Sequence, residues 1–186
     1  GCQDQVVAAF GGFNKIEFGG PSKITVCPMP MSPERLNLFQ DHLMLFFTGF
    51  SRTASEIAAE QIKNTPNKTS ELKALKNMVE AAVELLDGNG PLDDFGKLLD
   101  ESWKIKKSLS SQISNHHIDE IYNAAKEAGV LGGKLLGAGG GGFILFFVKP
   151  EFQSKVKEKL KNLLHVPFKF ENLGSQIVYY GQGTEF

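Results

Sequence analysis

Arginine is almost missing from this chain of 186 residues: only Arg35 and Arg52 occur, and lysine supplies the rest of the basic charge. With a formal net charge of −1 there is no basic excess to draw nucleic acid or an anionic membrane, so neither is expected as a partner. Scarcity also singles out the two arginines, because a guanidinium fork suits phosphate. Cysteine is as sparse. Cys2 and Cys27 form no CxxC pair, which argues against a disulfide framework and a cysteine-based metal site. No signal peptide and no apolar run long enough to cross a bilayer is present, so a cytoplasmic protein with reduced thiols is expected. An initiator methionine is lacking as well; the chain opens on Gly1-Cys2-Gln3-Asp4 and is expected to be a piece of a longer polypeptide. There is no sequence repeat, no low-complexity tract, and no order of Ser, His and Asp that justifies a triad.

What is abundant is glycine, and five of six positions from Gly137 to Gly142 carry it, broken only by Ala138. Glycine suits backbone that takes positive φ or lies against a ligand, and its loss of chain entropy on folding calls for an offsetting gain. Phe143 to Val148 leaves this run as an apolar, aromatic and branched segment ending at Pro150, the pattern of a buried strand. Gly137, Gly139 and Gly142 formally satisfy G-x-G-x-x-G. That fingerprint requires a helix to follow, and a strand follows here, which disfavours a dinucleotide site and hydride transfer. A P-loop would end in Gly-Lys-Ser/Thr, and Gly142-Phe143-Ile144 does not. Two readings remain: a tight hairpin or bulge, or a backbone wall against a phosphate or sugar.

The rest of the chain reads as one core of mixed elements. A short helix over 4–9 stops at Gly11-Gly12. Strands over 13–18 and 23–27 make a hairpin around Gly19-Gly20-Pro21. Ser32-Pro33-Glu34 starts a helix, and 42–48 is a buried strand. Helices follow, with faces marked by Ala54, Ile57, Ala58 and Ile62; by Leu72, Leu75, Val79, Ala82, Val83 and Leu86; by Phe95, Leu99 and Trp103; and by Ile118, Ile121, Tyr122 and Ala125. Phe152, Val156, Leu160, Leu163 and Leu164 predict a last lysine-rich helix. Phe168 with Phe170, and 177–180, are expected as final strands. Strands flanked by helices imply an α+β fold.

Few residues stand out chemically. Asp4, at the start of the first helix, is either a cap or a carboxylate able to accept a hydroxyl proton. Arg52, at a strand–helix junction, either pairs with Glu56 or grips a phosphate. His116-His117 reads as a pair of solvated histidines at a helix start.

Two stretches change this picture together. Gly1-Cys2-Gln3-Asp4-Gln5 followed by Phe10-Gly11-Gly12-Phe13-Asn14 resembles the G-x-x-D-Q segment of the GHMP small-molecule kinases. Leu136 to Phe143 resembles that family's third, C-terminal glycine motif. Phe46-Phe47-Thr48-Gly49 with Arg52-Thr53-Ala54-Ser55-Glu56 looks like the branch acting on heptose phosphates. The resemblance covers essentially the whole chain. It implies an antiparallel, ferredoxin-like C-terminal domain and ATP- and Mg²⁺-dependent phosphoryl transfer to a sugar hydroxyl. Under it, Asp4 is the base or orienting group, and Gly137, Ala138, Gly139, Gly140, Gly141 and Gly142 line the active site. Arg52 becomes a candidate for the phosphate already on the substrate.

One departure is large. The family's P-x-G-x-G-L-G-S-S-A loop is absent, as are the Mg²⁺ ligands beside it. The expectation is therefore a C-terminal part, inactive alone, whose partner is the N-terminal half of the same kinase. Residues 1–20 would be the tail of that N-terminal domain and 21–186 the C-terminal domain. Its product would feed nucleotide-heptose and surface glycan (lipopolysaccharide) synthesis. The rivals are a fucose, galactose or mevalonate kinase of the same family, and a non-catalytic ligand-binding module.

Overall fold

The computed structural model describes residues 2–20, 23–50 and 54–180. The chain divides into two compact units, Gly1–Pro30 with Lys169–Phe186, and Met31–Phe168.

In the first unit, helix α1 (Gln3–Phe10) ends where Gly11 turns to φ 62° and its amide bonds back to Val7 O at 2.9 Å. Strands β1 (Asn14–Phe18) and β2 (Ile24–Pro28) then pair antiparallel, with Ile16 opposite Val26, as the alternation predicts. The returning segment crosses α1 at its glycine end. A Cβ on Gly11 would stand 2.2 Å from Gly174 N, so only glycine lets the two backbones meet. Gly12 N donates to Glu171 O at 2.7 Å and Ser175 N to Ala9 O at 3.1 Å. Those bonds explain why Phe168 and Phe170 do not begin a strand: the backbone that follows is tied to the end of α1, not to a sheet. Residues 177–180 also form no strand, and their side chains are largely solvent-exposed.

The second unit opens with α2 (Pro33–Asp41), capped by the Ser32 hydroxyl accepting from Arg35 N at 3.1 Å. Next come β3 (Leu43–Phe47), α3 (Ala54–Asn64), α4 (Thr69–Asp87), α5 (Asp93–Ser108), α6 (His116–Glu127), β4 (Gly132–Leu135), β5 (Phe143–Phe147), α7 (Gln153–Lys159) and β6 (Leu164–Val166). The strands form one antiparallel sheet in the order β4-β5-β3-β6, with Leu45 opposite both Leu145 and Val166. Strands separated by helices in the pattern β-α-β-β-α-β, with the first and third at the centre, give the expected ferredoxin-like α+β fold.

Two strand assignments differ from expectation. β4 contains Gly132-Gly133, residues that weaken strand character in a sequence. The helix after Pro150 ends at Lys159, and Leu164, counted above on its apolar face, belongs to β6 at the edge of β3. Three residues are too few for alternation to mark a strand.

The core lies where Met44, Phe46, Ile144 and Phe146 meet Trp103, Ile113, Ile118, Ile121, Tyr122 and Val156. Alternate residues of β3 bury in this way, as a half-buried strand requires. Helix α5 presses onto β4 through glycine. A Cβ on Gly132 would lie 1.9 Å from Gly96 O and 2.7 Å from Asp100 N. Beside this contact the Tyr122 hydroxyl donates to Asp100 Oδ1 at 2.6 Å, and Lys104 reaches Asp100 Oδ2 at 2.6 Å. Burial raises the Asp100 pKa, but the bonds from Lys104 and Tyr122 and the charge of Lys126 outweigh it and hold the carboxyl below its ordinary value.

Gly132→Ala should therefore cost about 2–3 kcal/mol, the upper range for overpacking, because backbone rather than a mobile side chain blocks the methyl. Gly90→Ala, with open space around the new Cβ, should leave the urea midpoint nearly unchanged. Equal midpoints for the two variants would refute the close approach.

Candidate active site

The glycine run joins β4 to β5 as a closed hairpin loop, with Leu136 N donating to Phe143 O at 2.8 Å. Gly137, Gly139, Gly140 and Gly142 all take positive φ, from 71° to 124°. A side chain at any of these four would be strained, and at Gly139 a Cβ would also stand 2.8 Å from Ile113 Cα. Gly141 has no positive φ, but a Cβ there would stand 2.8 Å from Phe50 O. Conformation thus calls for glycine at four positions, and contact with the loops after α5 and β3 calls for it at two.

Thr48, at the end of β3 and fully buried, anchors the exit of the loop. Its amide donates to Gly142 O at 2.8 Å, and its hydroxyl lies 2.9 Å from the same oxygen and accepts from Gly142 N at 3.0 Å. Gly142 N also reaches Phe50 O at 2.7 Å, and Gly140 N reaches Ile113 O at 3.0 Å. Three helices add side-chain donors: Gln61 Nε2 to Ala138 O at 2.9 Å, Lys106 Nζ to Gly137 O at 2.8 Å, and Asn115 Nδ2 to Gly140 O at 3.3 Å. Among the described residues, the amides of Gly137, Ala138, Gly139 and Gly141 make no hydrogen bond. The loop therefore offers N–H donors that have no partner among the described residues, with the positive charge of Lys106 and Lys134 nearby, a combination that suits an anion.

Those lysines are electrostatically primed. Burial, with the charge of Lys134 adding to it, pushes the Lys106 ammonium down to about 8. Burial also lowers Lys134. An anion held at the loop would oppose both shifts.

Asp4 lies in the first turn of α1, in the first unit, and is exposed; the N-cap position is Cys2, which makes no side-chain cap bond. Arg52 falls outside the described residues. Arg35 turns out to serve the fold: its Nη2 and Nε donate to Leu85 O and Leu86 O at 2.8 and 3.3 Å, closing the carbonyl end of α4. His116 and His117 are exposed at the start of α6, with His116 Nε2 3.2 Å from Glu120. Among the described residues no group of three His, Cys, Asp or Glu is placed to hold a metal ion.

Sequence reasoning missed Thr48, Gln61, Lys106 and Asn115. Asn115 carries a local signal, since it is the N-cap of α6 and accepts from Ile118 N at 3.0 Å. Lys106 carries none; it reads as one more helix-surface lysine.

In an NMR titration the Lys106 ammonium should give an inflection near pH 8, and one near the ordinary lysine value would contradict its burial. Because its folded pKa is depressed, the penalty of keeping it charged is fully present below about pH 8. That penalty is relieved as pH rises toward the unfolded value of about 10.4. Stability should therefore gain from Lys106 across that window, and Lys106→Met should remove the gain.

Residues 71–166 match the family of GHMP kinases, in its C-terminal domain. The D-glycero-alpha-D-manno-heptose 7-phosphate kinase of Campylobacter jejuni is 32% identical over 152 residues, covering 81% of this chain and 44% of that protein. The bifunctional fucokinase/GDP-fucose pyrophosphorylase of Arabidopsis thaliana is 28% identical over 161 residues, 83% of this chain and 15% of its own length. Among solved structures, a D-glycero-D-manno-heptose 1-phosphate kinase from Bacteroides thetaiotaomicron superposes with a TM-score of 0.64 at 26% identity, over 96% of this chain and 50% of that one. The chain thus spans about half the length of the two heptose phosphate kinases it matches. Sheet order, glycine loop and family match agree: the chain belongs to the GHMP kinases.

Proposed function

We propose that this chain is the C-terminal part of an ATP-dependent sugar kinase that phosphorylates a hydroxyl of a heptose phosphate. The observation that carries the reading is the 32% identity to a heptose 7-phosphate kinase across 81% of the chain. The glycine loop with its free amides and neighbouring lysines supports it physically, because phosphoryl transfer is largely a matter of holding negatively charged oxygens in place.

In this mechanism ATP supplies the γ-phosphoryl group. The sugar hydroxyl oxygen forms the new bond to phosphorus, the bond to the ADP oxygen breaks, and Asp4 accepts the hydroxyl proton. The amides of Ala138, Gly139 and Gly141 face phosphate oxygens, and Lys106 and Lys134 supply local positive charge. Arg52 grips the phosphate already on the sugar. ATP fits the donor set of the loop. The Mg²⁺ ligands are assigned to the N-terminal half of the same kinase, the partner of this chain. Residues 1–20 are read as the tail of that half and residues 21–186 as the C-terminal domain, a boundary that falls between the paired strands β1 and β2.

Among the described residues no helix is long and apolar enough to cross a membrane. A cytoplasmic place fits both ATP use and the absence of a disulfide at Cys2 and Cys27. The product would serve nucleotide-heptose formation for surface glycans such as lipopolysaccharide. The 28% match to a fucokinase supports a second reading, in which the acceptor is fucose or another GHMP substrate such as galactose or mevalonate.

Coupled-assay kinetics of the intact kinase on heptose 7-phosphate, heptose 1-phosphate, fucose, galactose and mevalonate decide between them. Heptose phosphate should give the highest kcat/KM, and a higher value on fucose would overturn the heptose assignment. Asp4→Asn should lower kcat by about 100-fold or more with little change in either KM. Arg52→Ala should raise KM for the phosphorylated sugar about tenfold and leave KM for ATP nearly unchanged.

A further inference from the structure

Every side chain that grips the glycine loop from a helix donates to a carbonyl. Lys106 takes Gly137 O, Gln61 takes Ala138 O, and Asn115 takes Gly140 O. The three come from α5, α3 and the N-cap of α6, so the one-sidedness is not imposed by a single neighbouring element.

A trans peptide unit makes the pattern informative. The carbonyl of one residue and the N–H of the next lie in one plane and point in opposite directions. No cis peptide occurs among the described residues. Fixing Gly137 O therefore turns the N–H of Ala138 away from Lys106. Fixing Ala138 O does the same for Gly139, and fixing Gly140 O for Gly141. These three amides are among those that make no hydrogen bond among the described residues. The intervening unit behaves differently: Gly140 N bonds to Ile113 O. Gly139 is itself buried, and an N–H without a partner in a buried residue is costly enough to need a reason. A loop held only for rigidity would be served equally well by bonds to its amides.

We propose that Lys106, Gln61 and Asn115 are positioning residues: each holds one carbonyl of the glycine loop and thereby aims the N–H of Ala138, Gly139 and Gly141, respectively, at phosphate oxygens of the reactants. The proposal rests on the kinase reading for the identity of the ligand and adds the residues that shape its donor set. Asn115 is the clearest member. Its Oδ1 caps α6 while its Nδ2 holds the loop, so the two duties lie on different atoms.

That separation provides the test. Gln61→Glu and Asn115→Asp remove the donor and keep the shape, and Asp caps a helix as well as Asn. Lys106→Met removes the third donor. In the intact kinase each variant should lower kcat about tenfold with both KM values within about twofold, and Gln61→Glu and Asn115→Asp should leave the thermal midpoint nearly unmoved. Lys106→Arg, which restores a donor, should recover part of the loss.

Amide NMR of the protein labelled with ¹⁵N in glycine and alanine, titrated with inorganic phosphate, reads the mechanism directly. Wild type should shift at Ala138, Gly139 and Gly141. Asn115→Asp should lose the response at Gly141 alone, Gln61→Glu at Gly139, and Lys106→Met at Ala138. Loop amides indifferent to phosphate, or variants with wild-type kcat, would overturn the proposal. Phosphate-responsive amides with this residue-by-residue loss, in a protein that transfers no phosphoryl group, would uphold the positioning and refute the kinase reading. Normal transfer by all three variants would do the reverse.

Discussion

The tie between Thr48 and Gly142 is the constraint on which the candidate site depends. It fastens the end of β3 to the mouth of the β4–β5 hairpin with bonds in both directions, from the amide and the hydroxyl of one buried threonine. β5 is paired on both sides, so its start has no freedom to slide. The glycine loop is consequently suspended between two fixed points, Leu136 bonded to Phe143 and Gly142 bonded to Thr48. The backbone freedom that glycine brings is removed at the ends before any helix touches the middle.

The helices then complete what the strands begin. α5 reaches the sheet closely because Gly96 and Gly132 clear the space between their backbones. Its last turn is thereby carried to the loop, where Lys106 finds Gly137 O. The desolvation that depresses the Lys106 pKa is the electrostatic cost of that placement, and it persists because the carbonyls of Gly137 and Leu135 give the ammonium partners.

Much of this architecture was legible in the sequence. Alternation revealed the β1–β2 hairpin, Ser32-Pro33 revealed the start of α2, and the leucine period revealed α4, because each signal is local. β4 was hidden because its two glycines serve the approach of α5, a tertiary need that overrides strand propensity. β6 was hidden because Leu163 and Leu164 continue a helical period that the backbone abandons at Leu160. The loop itself was plain. Its holders were not: Gln61, Lys106 and Asn115 act across 77, 31 and 25 residues of chain, and nothing near any of them announces the partner. Family resemblance, rather than local pattern, pointed to Asp4 and Arg52.

Ser32 and Asn115 both cap helices, yet their substitution freedom differs. Ser32 accepts from Arg35 N and its hydroxyl bonds the Glu34 carboxylate, tasks that threonine performs about as well. Asn115 must accept at one end of its amide and donate at the other, and within the usual capping set no other short side chain carries both functions in a fixed plane. A helix start has thus become chemically monogamous: the side chain that keeps both bonds at position 115 is dictated by a loop that lies 25 residues further along the chain.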